Sequence, residues 1–195
     1  MITLRMPVMS RVLVVRPGAT KFDDEQRIKG SLDMPMSDRG TVQANLLAAE
    51  LADVRFKTIY TSPCESARET AARLAKGRDI RIKVVDVFRN IDHGLWHGKL
   101  IEEVRRNQPR VYRTGLESPD DICPPGGETI REARARVLKA VRKAAKKSRD
   151  EIVAIVAPDP MATIIQSLLS GDPLPNLWQA ETDSATWNLV ESEIA

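Results

Sequence analysis

The sequence predicts an α/β fold, a three-layer αβα sandwich around a mostly parallel central sheet. Three observations carry that expectation. Short apolar runs recur at residues 12–15, 58–60, 80–85, 152–156 and 186–190. Stretches with apolar residues at three- and four-residue spacing separate most of them. The strand candidates are near-continuously apolar, the pattern of strands covered on both faces.

Each element follows from local chemistry. Residues 12–15 (VLVV) run into a polar turn at Arg16, Pro17, Gly18 and Thr20. Such strand ends are where α/β proteins place active sites. An arginine and free backbone amides suit a phosphate. Pro17 does not, because it has neither an N–H nor a reactive side chain. Ser37 begins a helix with Ala44, Leu47, Ala48 and Leu51 on one face. Pro63 opens another, through Ala67, Thr70, Ala71 and Leu74, that Gly77 stops. Residues 99–107 form a shorter candidate ended by Pro109. Residues 110–127, containing SPDDICPPGGE, read as an irregular loop over one edge, a kind that often borders functional sites. Residues 128–148 form the long helix, and residues 161–169 a last one closed by Gly171.

A chain of 195 residues can bury a sizeable core, and a single domain over residues 1–195 is expected. With 42% apolar and 29% charged residues the composition is that of a globular protein. No apolar run approaches the ~20 residues of a membrane helix, so no membrane partner is expected. The N-terminal MITLRMPVMSR lacks the apolar core of an export signal, which makes the cytoplasm the expected location. Cys64 and Cys123 give no disulfide framework and no metal-ligand spacing, and no cofactor is expected. Net charge is +3, with basic residues concentrated from Arg131 to Arg149. Apolar residues at helical spacing run through the same stretch, from Ile130 to Ala145, so it reads as a solvated helix face. With 4% aromatics and no interleaved base-stacking residues, nucleic-acid binding is not expected.

Five blocks, taken together, say more. RPGATKFDDEQRIKGSLDMPMSDRG is similar, without a gap, to RHGxTxxN…RxQGxxDxPLSxxG. IYTSPCESARETAARLA is similar to IYSSPLxRARETAxxIA, and FRNIDHGLWHGK to LxEIDFGxWEG. PPGGET opens the long helix, and VAIVAPDP stands where VLVVSHGG would. In this order the blocks resemble the histidine phosphatase superfamily, which includes the cofactor-dependent phosphoglycerate mutases. The resemblance spans nearly the whole chain and implies a phosphoglycerate mutase-like sandwich.

The same resemblance implies a phosphoryl-transfer site and then removes most of it. The family attacks phosphorus with a histidine, holds the phosphoryl oxygens with two arginines and a second histidine, and protonates the leaving oxygen with a carboxylic acid. Arg16 matches the first arginine. Pro17 stands at the nucleophile's position and has no lone pair to attack with. Ser66 replaces the second arginine, Asn90 the acid and Pro158 the second histidine. An amide cannot deliver a proton in a useful pH range, and serine cannot supply a cationic fork. Loss of one such electrostatic donor costs ~2.7–4 kcal/mol of barrier, so the joint loss leaves little beyond background. No catalytic residue is therefore assigned, and the chain is expected to be a pseudophosphatase rather than an enzyme.

Relocated chemistry is the competing reading. The only histidines, His93 and His97, lie in NIDHGLWHG, where Gly94 and Gly98 argue for a turn-rich loop rather than a helix with two metal ligands. Asp159, with Asp23, Asp24 and Asp92, matches no recognised metal spacing. What could still bind an anion is Arg16, Gly18, Thr20, Arg27, Arg89 and His93. The other outcome is an Arg16 paired with Asp159 or Asp23 in a closed pocket.

Three functions follow. One is a non-catalytic protein that binds a small anionic or phosphorylated ligand, or a protein partner, at the former pocket. Another is an active phosphate-ester hydrolase or mutase using His93 or another relocated residue. The third is a structural protein that forms homodimers or larger oligomers around a filled pocket.

Overall fold

The computed structural model describes residues 9–148, 151–180 and 184–192. Residues 1–8 of the N-terminal stretch and Arg149 of the basic run lie outside the described residues. Five strands are observed: β1 (Ser10–Val15), β2 (Phe56–Thr61), β3 (Arg81–Val84), β4 (Ile152–Val156) and β5 (Trp187–Ser192). They form one sheet in the order β3-β2-β4-β1-β5. All neighbours are parallel except β5, which runs antiparallel to β1 from Ser10↔Ser192 to Val15↔Trp187. The mostly parallel sheet expected from the apolar runs is therefore present.

The α-helices among the described residues are α1 (Lys21–Asp24), α2 (Asp38–Glu50), α3 (Glu65–Ala75), α4 (Ile101–Asn107), α5 (Pro109–Glu117), α6 (Ile130–Lys147), α7 (Met161–Ser170) and α8 (Leu177–Ala180). Because successive strand residues face opposite sides, the central strands feed two cores. Val12, Val14, Val153 and Ile155 share one with Val137 and Val141 of α6 and Ile164 and Ile165 of α7. Leu13, Val15, Ala154 and Val156 share the other with Leu47 of α2 and Ala67, Ala71 and Leu74 of α3. Residues 12–15 are wholly buried, and each such aliphatic side chain contributes about 1.5–3 kcal/mol.

Helix ends follow the polar signals. Ser37 accepts a hydrogen bond from the Gly40 amide at 3.1 Å and starts α2. Thr129 and Glu132 form a reciprocal capping box at the start of α6, and these hydrogen bonds hold the Glu132 carboxyl below its ordinary range. Gly171, at φ +79°, closes α7 in the left-handed conformation.

Residues 110–127 differ from expectation, since half of them are helical. Pro109, read as a terminator, occupies the first turn of α5, where its missing N–H costs nothing. The helix packs through Tyr112, which stacks on Trp178 at 5.2 Å, and through Gly115. A Cβ at Gly115 would lie 2.4 Å from the Trp178 indole nitrogen, so only glycine lets the two approach. Trp178 lies 66 residues away in sequence, beyond the reach of any local pattern.

Candidate functional site

The parallel pairing Val15↔Val156 delivers the two strand-end loops side by side. Arg16 follows β1, and Asp159 follows β4. The Arg16 Nε donates to Asp159 Oδ2 in a short buried ion pair, with the residues 6% and 2% exposed. Arg16 Nη2 also donates to Thr163 Oγ1 at 2.9 Å. Thr163 in turn donates its backbone N–H and its hydroxyl to Asp159 Oδ1 at 2.9 and 2.8 Å. Burial pushes the Asp159 carboxyl up to about 6, while Arg16 and Thr163 hold it from rising further. At neutral pH it is therefore ionised and opposes the Arg16 charge.

The positions that sequence comparison singled out line a different space. Ser66, Asn90 and Pro158 border a cavity of about 110 Å3 together with Cys64, Lys29 and Arg89. Arg16 does not line it. Asn90 is 3% exposed and fully engaged. Its amide nitrogen donates to the Gly30 and Asp159 carbonyls at 3.0 and 2.7 Å, and its oxygen accepts from the Met161 N–H at 3.3 Å. A carboxylate there would face both carbonyls without a proton to donate, so the amide is what lets these three segments meet. The Ser66 hydroxyl lies 3.8 Å from Cys64 Sγ.

The other expected anion ligands are mostly committed elsewhere. The Gly18 amide donates to Thr70 Oγ1 at 3.1 Å. Thr20 donates its N–H and its hydroxyl to Asp23 Oδ2 at 2.6 and 2.7 Å. Arg27 reaches Glu25 at 2.7 Å and the Gly98 carbonyl at 2.8 Å. His93 is buried, stacked on Trp96 at 6.3 Å and edge-on to His97 at 6.5 Å. His97 Nε2 accepts from the His93 backbone N–H at 3.1 Å. Gly30, at φ +53°, sits beneath both rings, and a Cβ there would lie 2.5 Å from His97. Only Arg89, exposed at the rim, lines the small cavity without a side-chain partner among the described residues. Of the six candidates, Arg16 and Arg89 line two different cavities.

Sequence reasoning did not pair Asp23 with Lys29. The Lys29 ammonium lies 2.7 and 3.0 Å from the two Asp23 oxygens, with both side chains buried. The pattern this chain resembles reads Asn and Gln at these positions, where this chain carries an ion pair. Two complementary charge changes six residues apart were the available signal. Among the described residues no three His, Cys, Asp or Glu side chains converge to hold a metal. Asp24 pairs with Arg39, and Asp92 accepts from the Gly94 amide at 2.9 Å.

The profile of the histidine phosphatase superfamily (branch 1) matches residues 12–193. The chain belongs to that superfamily. Phosphoserine phosphatase 1 of Hydrogenobacter thermophilus is 31% identical over 186 residues, covering 95% of this chain and 88% of the relative. The adenosylcobalamin/alpha-ribazole phosphatase of Escherichia coli is 19% identical over 93% of this chain and 89% of its own length. Among solved structures, the phosphoglycerate mutase of Bacillus anthracis superposes with a TM-score of 0.82 at 16% identity, over 95% of this chain and 89% of that one. The last likeness speaks to the fold, and it agrees with the αβα sandwich expected from the sequence blocks.

Proposed function

We propose that this chain is a non-catalytic member of the superfamily that acts by binding. The observation that carries the proposal is the Arg16–Asp159 pair. The one phosphate-ligand arginine retained in sequence is neutralised by an internal carboxylate and does not line the cavity of Ser66, Asn90 and Pro158. Pro17 supports it, because no bond to phosphorus can form there. Asn90 supports it as well, since its amide hydrogens are spent on carbonyls and none is available to a leaving group. At the small cavity Arg89 and the Ser66 hydroxyl suit a bound anion rather than a reacting one, while Asp33 and Lys29, which also line it, are engaged by the Glu65 N–H and by Asp23. The test is phosphate release by the purified chain over a panel of phosphate monoesters that includes phosphoserine. No release above buffer is expected. Turnover on any ester overturns the proposal.

A second reading, an active hydrolase with a relocated nucleophile, draws on two observations. The 31% identical relative is named a phosphatase, and His93 is a buried imidazole beside the Gly30 turn. In that case His93→Ala abolishes the release that the wild type shows.

A further inference from the structure

Strand β3 is an edge of the sheet, with β2 on one side and no described strand on the other. Just past its end, the Val85 N–H donates inward to the Thr61 carbonyl at 2.9 Å. Backbone direction alternates along a strand, so Arg81 and Lys83 also turn their peptide groups toward β2. The N–H and C=O groups of Ile82 and Val84 therefore point outward, where no described strand receives them.

Side chains alternate as well. Ile80 packs against the core of α2 and α3, and Val85 against that of α6 and α7. Ile82 and Val84 thus stand on the α3 side, where they are 39% and 53% exposed. Arg81 and Lys83 stand on the α6 side, with the Lys83 ammonium 5.9 Å from the centre of the Tyr60 ring. Arg136 fixes which flank of α6 faces them, because it donates to the Val87 and Arg89 carbonyls just beyond β3. Lys143 and Lys147 follow it at helical spacing on the same flank. Repulsion from Lys147, then desolvation and repulsion from Arg81 and Lys143, holds the Lys83 pKa below its ordinary value. No described acid pairs with any of these four cations. The acids nearest to β3 in the sequence, Asp79 and Asp86, lie beyond its two ends.

The open edge is therefore cationic on one face and apolar on the other. A second copy laid along it would set these cations against their own kind. A polyanion without an extended backbone would leave the outward peptide groups and the two exposed aliphatic side chains unused.

We propose that the outer edge of β3 docks an extended segment of another protein in which acidic and apolar residues alternate. Its backbone pairs with Ile82 and Val84, its acidic side chains meet Arg81, Lys83, Lys143 and Lys147, and its apolar ones lie beside Ile82 and Val84. The other edge strand, β5, carries Glu191 and neither lysine nor arginine, so it does not fit the same segment. The docking does not involve the cavities beside Arg16 and Arg89, so it and the phosphate-release panel fail independently.

The experiment is an NMR titration of the isotopically labelled full chain with a capped hexapeptide of alternating Glu and Val. Controls are the peptide with Lys in place of Glu, hexaglutamate and a single-stranded oligonucleotide. The Glu-Val peptide is expected to shift the backbone amides of Ile82 and Val84 saturably, with a Kd on the order of 0.1–1 mM. The amides of β5 and the Lys control should show no such shift. Val84→Pro removes an outward N–H without touching the bonds to β2, and should weaken the peptide about fivefold or more, read at Ile82. Lys83→Glu, the second variant where the first loses its native spectrum, should weaken it by a similar factor. The proposal is overturned when the peptide shifts neither amide up to about 5 mM, several times the expected Kd. It is equally overturned when hexaglutamate, the oligonucleotide or the Lys peptide binds as tightly, when the shifts fall on β5 instead, or when both variants bind like the wild type.

Discussion

Along β1 and β4 the chain is joined by Val12↔Val153 through Val15↔Val156, apolar pairs that are almost wholly buried. Just beyond those strands, one residue past β1 and three past β4, the same two segments are joined by Arg16 and Asp159, nearly as deeply buried but charged. The sheet holds through area removed from water, which is non-directional and tolerant of small changes in shape. The loops hold through charges and hydrogen bonds that must all be satisfied together. Here the two loops close Arg16 and Asp159 on one another.

The sharpest way to break that contrast is to remove one partner. Asp159→Ala leaves a buried guanidinium without its carboxylate and should cost about 3–5 kcal/mol in urea unfolding. Ile155→Val, a methylene lost from the sheet nearby, should cost about 0.5–1.5 kcal/mol. The double change Arg16→Met with Asp159→Leu should recover most of the first loss, because replacing both charges removes the penalty. An Asp159→Ala cost no larger than that of Ile155→Val would show that the loop pair contributes little.

A smaller effect separates the two regions by pH. Asp159 titrates at about 6 in the fold against an ordinary 3.8. A carboxyl raised by folding binds its proton more tightly in the native state, so its contribution is fully present below the unfolded value. That contribution is lost as pH rises through 6. From pH 7 to pH 5 the wild type should gain about 1 kcal/mol from this group, a gain that Asp159→Asn lacks. Glu25 and Glu132, both exposed, have pKa values lowered below 4.5 by Arg27 and by Thr129 respectively. Their contributions fall away only as pH drops through those lowered values, outside this window. Identical pH profiles for wild type and Asp159→Asn would contradict the assignment. Smallest of all, Arg89→Ala should leave stability within about 0.5 kcal/mol, as for an unpartnered surface side chain, while weakening any phosphate binding at the small cavity.

Much of the sheet was legible because its signals are local: the runs read from the sequence mark all five strands to within a few residues, and Ser37 and Gly171 mark helix ends. Helix α5 was not, since Pro109 is compatible with both stopping one helix and starting the next, and the choice rests on Trp178. At the site, the identities of Pro17, Ser66, Asn90 and Pro158 were plain from the flanking matches. The destination of Arg16 was left open between a bound anion and an internal acid. Only the parallel register, which brings together residues 143 apart, decides for Asp159. The three hydrogen bonds of Asn90 were equally out of reach, because all of its partners lie about 60 or more residues away.

The most direct measurement is the intact mass of the chain, quenched during incubation with phosphoserine and with other phosphate monoesters. A non-catalytic chain keeps its unmodified mass throughout and releases no phosphate. A transient gain of one phosphoryl group that vanishes in His93→Ala would contradict it.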